Sequence, residues 1–476
     1  MQTPLRLGFA PTRRFVFSKE DAHRFKDAVR ERIASSDEVT VTDLEGINEE
    51  GLLYNSDADA DRIIRRFREA DVDAVFFPHC NFGTEDTVAR VAKAVGKPVL
   101  LWGPRDEAPL ADGFRLRDTQ CGLFATGKVL RRFNVPFTYV VNSAADSPEF
   151  DRGYENFIQA ARVVRAFRRL RILQVATRPA GFWTMICNEG ELLERFGIET
   201  HPVTLVDIQN LTLSIERDGG AELDAAAERI LDALDCSEVG VPDVRRIASL
   251  QLALARTAEE NGCSAIAIQC WDSLQTGLGI MPCLANALLT DDGIPTVCET
   301  DVHGAITAVM AQAAAGGRTA PFFADLTIRH PDNENGELLF HCGNFPLSLV
   351  AEGCRPRLRK HFLFDSHAPG TQESEIRGGD LSIVRFDGDH GEYRLLLGRA
   401  RGIRGPYSRG SYIWVEVNDW PLWEERLVTG PYVHHCVGIH ADVIPALYEA
   451  CRYIPGLVPD AVDPDEKEIQ AWLRGR

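Results

Sequence analysis

The sequence contains no apolar run long enough to cross a bilayer and no basic-then-apolar leader at its amino end. It is therefore expected to be neither membrane-embedded nor secreted. Nor does it contain a Cys-x-x-Cys pair. Its 12 cysteines are scattered, which fits reduced thiols in a cytoplasm and argues against a zinc–thiolate site. Basic charge is in short supply: 52 Lys and Arg face 70 Asp and Glu, a net −18. Such a surface repels a phosphate backbone, so nucleic acid is a poor partner. A neutral or cationic small molecule, or an anion held in a local site, stays open. No internal repeat or low-complexity tract is visible.

With 476 residues there is material for two or three domains. The first part alternates short β-branched or aromatic runs with helical patterns. "LRLGFAP", "EVTVTD", "DAVFFPH", "KPVLLWG" and "FTYVVNS" read as strands, and "EDTVARVAKAVG" between them has helical spacing. This alternation predicts a doubly wound parallel sheet over residues 1–167. The pattern restarts at "RRLRILQVATRP" and continues through "CSAIAIQCW" and "IPTVCET", predicting a second α/β domain over 168–335. From 336 to 476 the character changes. "LSIVRFDG", "GEYRLLLGRARG" and "SYIWVEVND" alternate in period two between Gly, Asp and Asn turns. They predict an antiparallel, barrel-like domain closed by a helix near "ADVIPALYEACRYI".

Ligands of doubly wound sheets bind outside the carboxyl ends of the strands. The polar residues there are Gln269, Trp271 and Asp272 after "SAIAI", then Glu299 and Asp301 after "IPTVC"; Asp325 follows "APFFA" and His341 ends "GELLF". An acid before a helix is commonly a cap, the preferred reading for Asp301 alone, and His341 alone reads as a hydrogen-bonded, half-buried residue. Convergence points further: Glu299, Asp325 and His341 each terminate a separate apolar run. Carboxylates close together repel unless a cation neutralises them or one is protonated. Oxygen ligands with an imidazole and no thiolate suit Mn²⁺ or Mg²⁺. In "GPYVHHCVGIHADV", a strand over Val433–Val437 would send His434 and His435 to opposite faces, so that one reaches a site and the other packs elsewhere; a surface pair is the alternative.

The blocks "IQCWDSLQTGLGIMPCLANALLTDDGIPTVCETDVHGAIT", "FFADL", "LLFHCGNFP" and "HHCVGIHAD" together resemble the L-fucose/L-arabinose isomerase family. The likeness extends through "TRPAGFWTMICNEGELLERFGIE" and, more loosely, into the first domain; residues 350–425 are hard to match. It implies a cytoplasmic, metal-dependent aldose–ketose isomerase using Mn²⁺, or Mg²⁺ or Co²⁺, assembled as a homo-oligomeric trimer or hexamer. Glu299 and Asp325 fall on the family's metal-binding and catalytic acids, and His435 on its late histidine ligand. His341 matches a ligand of the arabinose branch only. His434, Gln269 and Trp271 fall where the sugar is held.

Arg13 and Arg14, at the first strand-to-helix turn, have no family counterpart. They are either surface or subunit-interface charges, the preferred reading, or contacts to an anionic substrate group. The second alternative would bring a phosphorylated or sulfonated sugar with it. The expected reaction moves a proton between C1 and C2 of an open-chain sugar through an enediolate. The rivals are a non-catalytic sugar-binding or sensor protein and a metal-dependent epimerase or aldolase.

Overall fold

Two strands of the first sheet, "AVFFP" and "VLLW", are short, apolar and buried throughout, the composition of strands covered on both faces. A computed structural model describes residues 3–34, 37–54, 57–363 and 367–476. It divides into two units, the first comprising residues up to 165 with 445–454 and 466–476. Here β1 (Leu5–Phe9), β2 (Val39–Thr42), β3 (Ala74–Pro78), β4 (Val99–Trp102) and β5 (Thr138–Tyr139) form a parallel sheet in the order β2-β1-β3-β4-β5. Phe76, Phe77, Leu100 and Leu101 are buried in it. The Thr138 hydroxyl lies 2.6 Å from a Glu449 oxygen and 2.7 Å from the Tyr453 hydroxyl, which ties the returning segment to β5.

The second unit holds residues 166–444 and 455–465. It begins with β6 (Arg171–Val175), β7 (Glu199–Val203), β8 (Ala265–Ile268) and β9 (Thr296–Val297), parallel and ordered β7-β6-β8-β9. Nine further strands follow: β10 (Phe322–His330), β11 (Asn333–His341), β12 (Arg357–Lys360), β13 (Pro369–Glu375), β14 (Gly379–Asp389), β15 (Glu392–Ile403), β16 (Ser411–Glu416), β17 (His435–Ile439) and β18 (Leu457–Asp463). Six of them, β16-β11-β10-β17-β14-β15, close on themselves through β15–β16 pairing into an antiparallel barrel. Phe322, Ile383, Leu396, Ile413 and Cys436 belong to one buried apolar cluster of this region. Two parallel α/β sheets followed by an antiparallel barrel is the class that the alternation predicts.

Two details differ from the sequence reading. The predicted span 168–335 places the strand carrying Asp325 in the second α/β domain, but β10 pairs antiparallel with β11 and β17. Its apolar start, "FFA", looks like a buried parallel strand, while the residues from Asp325 on are half-buried or exposed. A helix is present where one was expected to close the barrel, at Ile444–Cys451, but residues 445–454 belong to the first unit, and β18 follows the helix and pairs parallel with β15. Among the described residues, no helix is long and apolar enough to cross a membrane.

The barrel contains an acid with an unusual titration. Glu337 on β11 is buried and its Oε2 has no hydrogen-bond partner. Burial, only partly offset by Arg329, pushes its pKa up to about 7. A carboxyl whose pKa is raised on folding favours the folded state most when protonated, so its contribution falls as pH rises from about 4.3 towards neutrality. Glu337→Gln is therefore expected to stabilise the protein at pH 8 and to leave it nearly unchanged at pH 4, read by urea denaturation at both values.

Candidate metal centre and active site

β9 ends at Val297, and the next four residues make a tight turn into the helix Val302–Ala314. Glu299 and Thr300 both adopt left-handed backbone, with φ of +62° and +56°. Such conformations cost on the order of 1–3 kcal/mol each for residues with a Cβ and persist only where surroundings enforce them. The enforcing contacts are visible. The Thr300 N–H donates to the Ile268 carbonyl at the end of β8 (3.1 Å), and the Asp301 N–H to the Cys298 carbonyl (3.2 Å). Asp301 caps the helix, its Oδ1 accepting from the Gly304 N–H at 2.8 Å. A Cβ at position 304 would lie 2.6 Å from the Phe323 ring and 2.7 Å from the Asp301 carboxylate, so glycine is needed for this approach. The turn thus holds the Glu299 side chain largely out of bulk water.

His435 opens β17 and stands directly opposite Asp325 of β10. Directly opposed residues project to the same face, which brings an imidazole from late in the chain beside an acid more than a hundred residues earlier. His435 Nε2 lies 3.1 Å from Glu299 Oε2 and 3.3 Å from Asp325 Oδ1. None of these three atoms has a hydrogen-bond partner. The other ring nitrogen, Nδ1, donates to Asp301 Oδ2 at 2.9 Å, so in the neutral ring Nε2 carries a lone pair. Two carboxylate oxygens and an imidazole lone pair meeting at van der Waals distance repel unless a positive charge sits among them. The titration agrees. Burial lowers the His435 pKa, but Asp301 and Glu299, with Asp325 behind them, outweigh it and raise it to about 9. Burial likewise raises Glu299, and His435 reverses this, holding it below its usual range. The cluster favours a positive charge at this point, and its oxygen-plus-imidazole donor set fits a hard or borderline divalent ion. The hydrogen bond from Nδ1 to a carboxylate is the usual companion of a metal-bound histidine.

The two adjacent histidines do not part company as a strand over Val433–Val437 requires. β17 starts two residues later, and His434 lies just before it. The two rings are 4.3 Å apart, and single ligand atoms of Glu299, His434 and His435 fall within 4.8 Å of one another. His434 is the exposed member, with Nε2 4.0 Å from Asp325 Oδ1. His341, at the end of β11, is buried with its Nε2 unpartnered, and it is not one of the three residues whose ligand atoms meet within 4.8 Å. Its Nδ1 accepts the Cys342 N–H at 2.9 Å, and Phe323 packs against both its ring and that of His435. Gln269 and Trp271 follow β8, half-buried. The Gln269 N–H donates to the Val175 carbonyl at 3.0 Å, and Trp271 meets Phe182 edge-on at 5.2 Å.

Arg13 and Arg14 lie in the first unit with their guanidinium groups engaged. Arg13 is buried, contrary to a surface reading, and grips Glu50 through two bonds of 2.6 and 2.7 Å. Arg14 donates to the Gly83 carbonyl at 3.0 Å, pairs with Glu85 and lies over the Phe82 ring. The residue whose part the sequence hid is Asp301. Its capping role was legible from its place before a helix, whereas its bond to His435 links residues 134 positions apart.

Comparison with known proteins gives the same direction. The family described as "Fucose/sulfoquinovose isomerase, N-terminal domain" matches residues 8–168. The chain is 26% identical over 396 residues to the sulfoquinovose isomerase of Priestia aryabhattai, covering 80% of this chain and 84% of that protein. It is 24% identical over 397 residues to the sulfoquinovose isomerase of Alkalicoccus urumqiensis, with the same two shares, 80% and 84%. With the sulfoquinovose isomerase of Clostridium sp. (strain MSTE9) the identity is 27% over 315 residues, 65% of this chain and 68% of that protein.

Proposed function

We propose that this chain, an aldose–ketose isomerase belonging to the fucose/sulfoquinovose isomerase family, converts an anionic, sulfonated aldose to its ketose with the help of a divalent metal ion. The observation that carries the metal requirement is the meeting of Glu299, Asp325 and His435 with three unpartnered donor atoms. The anionic substrate is supported by the relatives, which are sulfoquinovose isomerases.

Isomerisation moves one proton between C1 and C2 and another between their oxygens. Glu299, Asp325 and His435, with His434 at the rim, would hold the ion, Mn²⁺ being the first choice. When bound, it would supply the positive charge that stabilises the enediolate oxygen of the substrate. Glu299 is kept ionised by His435 and largely shielded from water, so it is fit to accept and return a proton at carbon. Asp325, 3.3 Å from His435 Nε2 and partly open to solvent, shares the acid and base work. Asp301 holds the His435 ring so that Nε2 faces the two acids.

The test is incubation of the Mn²⁺-loaded protein in D₂O with sulfoquinovose and with neutral aldoses such as L-fucose and L-arabinose. Ketose carrying deuterium at C1 or C2, formed from the sulfonated sugar in preference to the neutral ones, is the expected outcome. Equal turnover of neutral sugars would overturn the anionic preference. Full activity in metal-free protein treated with EDTA would overturn the metal.

A further inference from the structure

One of the buried charges in the barrel is a cation that the isomerase reading above leaves without a task. Arg385, on β14, has a side chain 1% exposed. Period-two alternation places Arg385 and Asp387 on one face of that strand. Its guanidinium is held from both sides. On one side it pairs with Asp301, Nη1 with Oδ2 and Nη2 with Oδ1, the latter at 3.1 Å. On the other, Nε donates to Asp387 Oδ2 at 2.8 Å. Asp387 in turn stands 2.9 Å from His303 Nδ1. Asp301 Oδ2 is therefore shared between the guanidinium and His435 Nδ1.

This arrangement constrains direction. The helix cap holds one oxygen of Asp301, through the Gly304 N–H, but a single bond leaves the carboxylate free to rotate about its own axis. A two-point guanidinium contact fixes the carboxylate plane, which a point-charge ammonium does not. Fixing that plane fixes where Oδ2 offers its lone pair to His435, and so fixes both the ring's tautomer and the direction of Nε2.

We propose that Arg385 is a positioning residue of the metal centre, acting through Asp301 to aim His435 Nε2 at the point shared by Glu299 and Asp325. The inference rests on the metal-centre reading above. A purely structural ion pair, joining β14 to the helix Val302–Ala314, would leave metal affinity untouched in any variant that folds.

The probe is Mn²⁺ alone, titrated calorimetrically into metal-free full-length protein, with the Mn²⁺ resonance signal followed in parallel. Arg385→Met is expected to weaken binding by about 10–100-fold, the usual effect of removing an outer-shell partner, and Arg385→Lys by less. In an Asp301→Asn background, Arg385→Met should change the affinity by no more than about twofold, since its route to the metal is already cut. Wild-type affinity in folded Arg385→Met would overturn the inference, as would losses that simply multiply in the double variant. If Arg385→Met does not fold, Arg385→Lys decides, and native affinity there overturns it. Wild-type protein that takes up no Mn²⁺ overturns the metal centre itself, and this inference with it; uptake that Glu299→Gln weakens but Arg385→Met leaves intact overturns the inference alone.

Discussion

Replacing Glu299 with Gln is expected to abolish isomerisation, lowering kcat by about 10³-fold or more, while the protein stays folded. Loss of a positioned general base alone costs about 10²–10⁴-fold, and here the same oxygen is also proposed as a metal ligand. Gln has nearly the same shape as Glu and can occupy the left-handed backbone at position 299 on the same terms. The contacts that enforce that turn, from Thr300 to Ile268 and from Asp301 to Cys298, are backbone hydrogen bonds and do not involve the Glu299 side chain. The variant should therefore melt within a few degrees of wild type and bind Mn²⁺ more weakly. Single-turnover measurement of ketose at saturating Mn²⁺ separates lost chemistry from lost metal. A variant retaining a tenth or more of wild-type turnover under those conditions would remove Glu299 from the proposed mechanism.

Glu299 was visible in the sequence for a physical reason. A carboxylate at the end of the apolar run "IPTVC" cannot be a solvated surface group unless the chain turns sharply outward. The structure instead turns it inward, at φ +62°. Asp301 two residues later was half visible. A helix cap needs only local sequence, but the second use of its carboxylate needs a partner brought in by barrel closure. Arg385 was not visible at all. In "LSIVRFDG" an arginine between apolar residues looks like the outward half of an alternating strand, and nothing local says that its face of β14 turns to a buried acid 84 positions away. Arg13 misleads in the same way: it sits beside a strand end among polar neighbours, yet Glu50 draws it into the interior of the first unit. Strands without a clear alternation were lost for a simpler reason. β7 and β18 are edge strands carrying Pro202 and Pro459, and an edge tolerates a residue that cannot donate to the ladder. Long apolar runs and strict alternation report burial directly, so the three-part architecture could be read; pairings across the barrel are properties of its closure and could not.

The second large effect is expected from Asp301→Asn, and it falls on stability as well as on metal binding. The substitution leaves Arg385 buried with one carboxylate, Asp387, in place of two. Breaking a buried ion pair by removing one partner costs about 3–5 kcal/mol, because the surviving charge keeps its desolvation penalty. The amide can still accept from the Gly304 N–H, so the helix cap survives and the loss belongs to the charge. Its pH dependence identifies it. Burial tends to raise the Asp301 pKa, but Arg385 and then His435 outweigh it and hold the carboxyl well below its usual range. A group depressed on folding contributes its full stabilisation above its unfolded value, near 3.9, and loses it as pH falls below that point. The gap between wild type and Asp301→Asn should therefore be widest at pH 6 and narrow at pH 3, because only the wild type has a carboxylate there to protonate. Urea denaturation of metal-free protein at the two values measures it. A gap that keeps its size at pH 3 would mean that the variant was destabilised by altered packing of the amide, and that the Asp301–Arg385 charge pair is not what holds this end of the barrel.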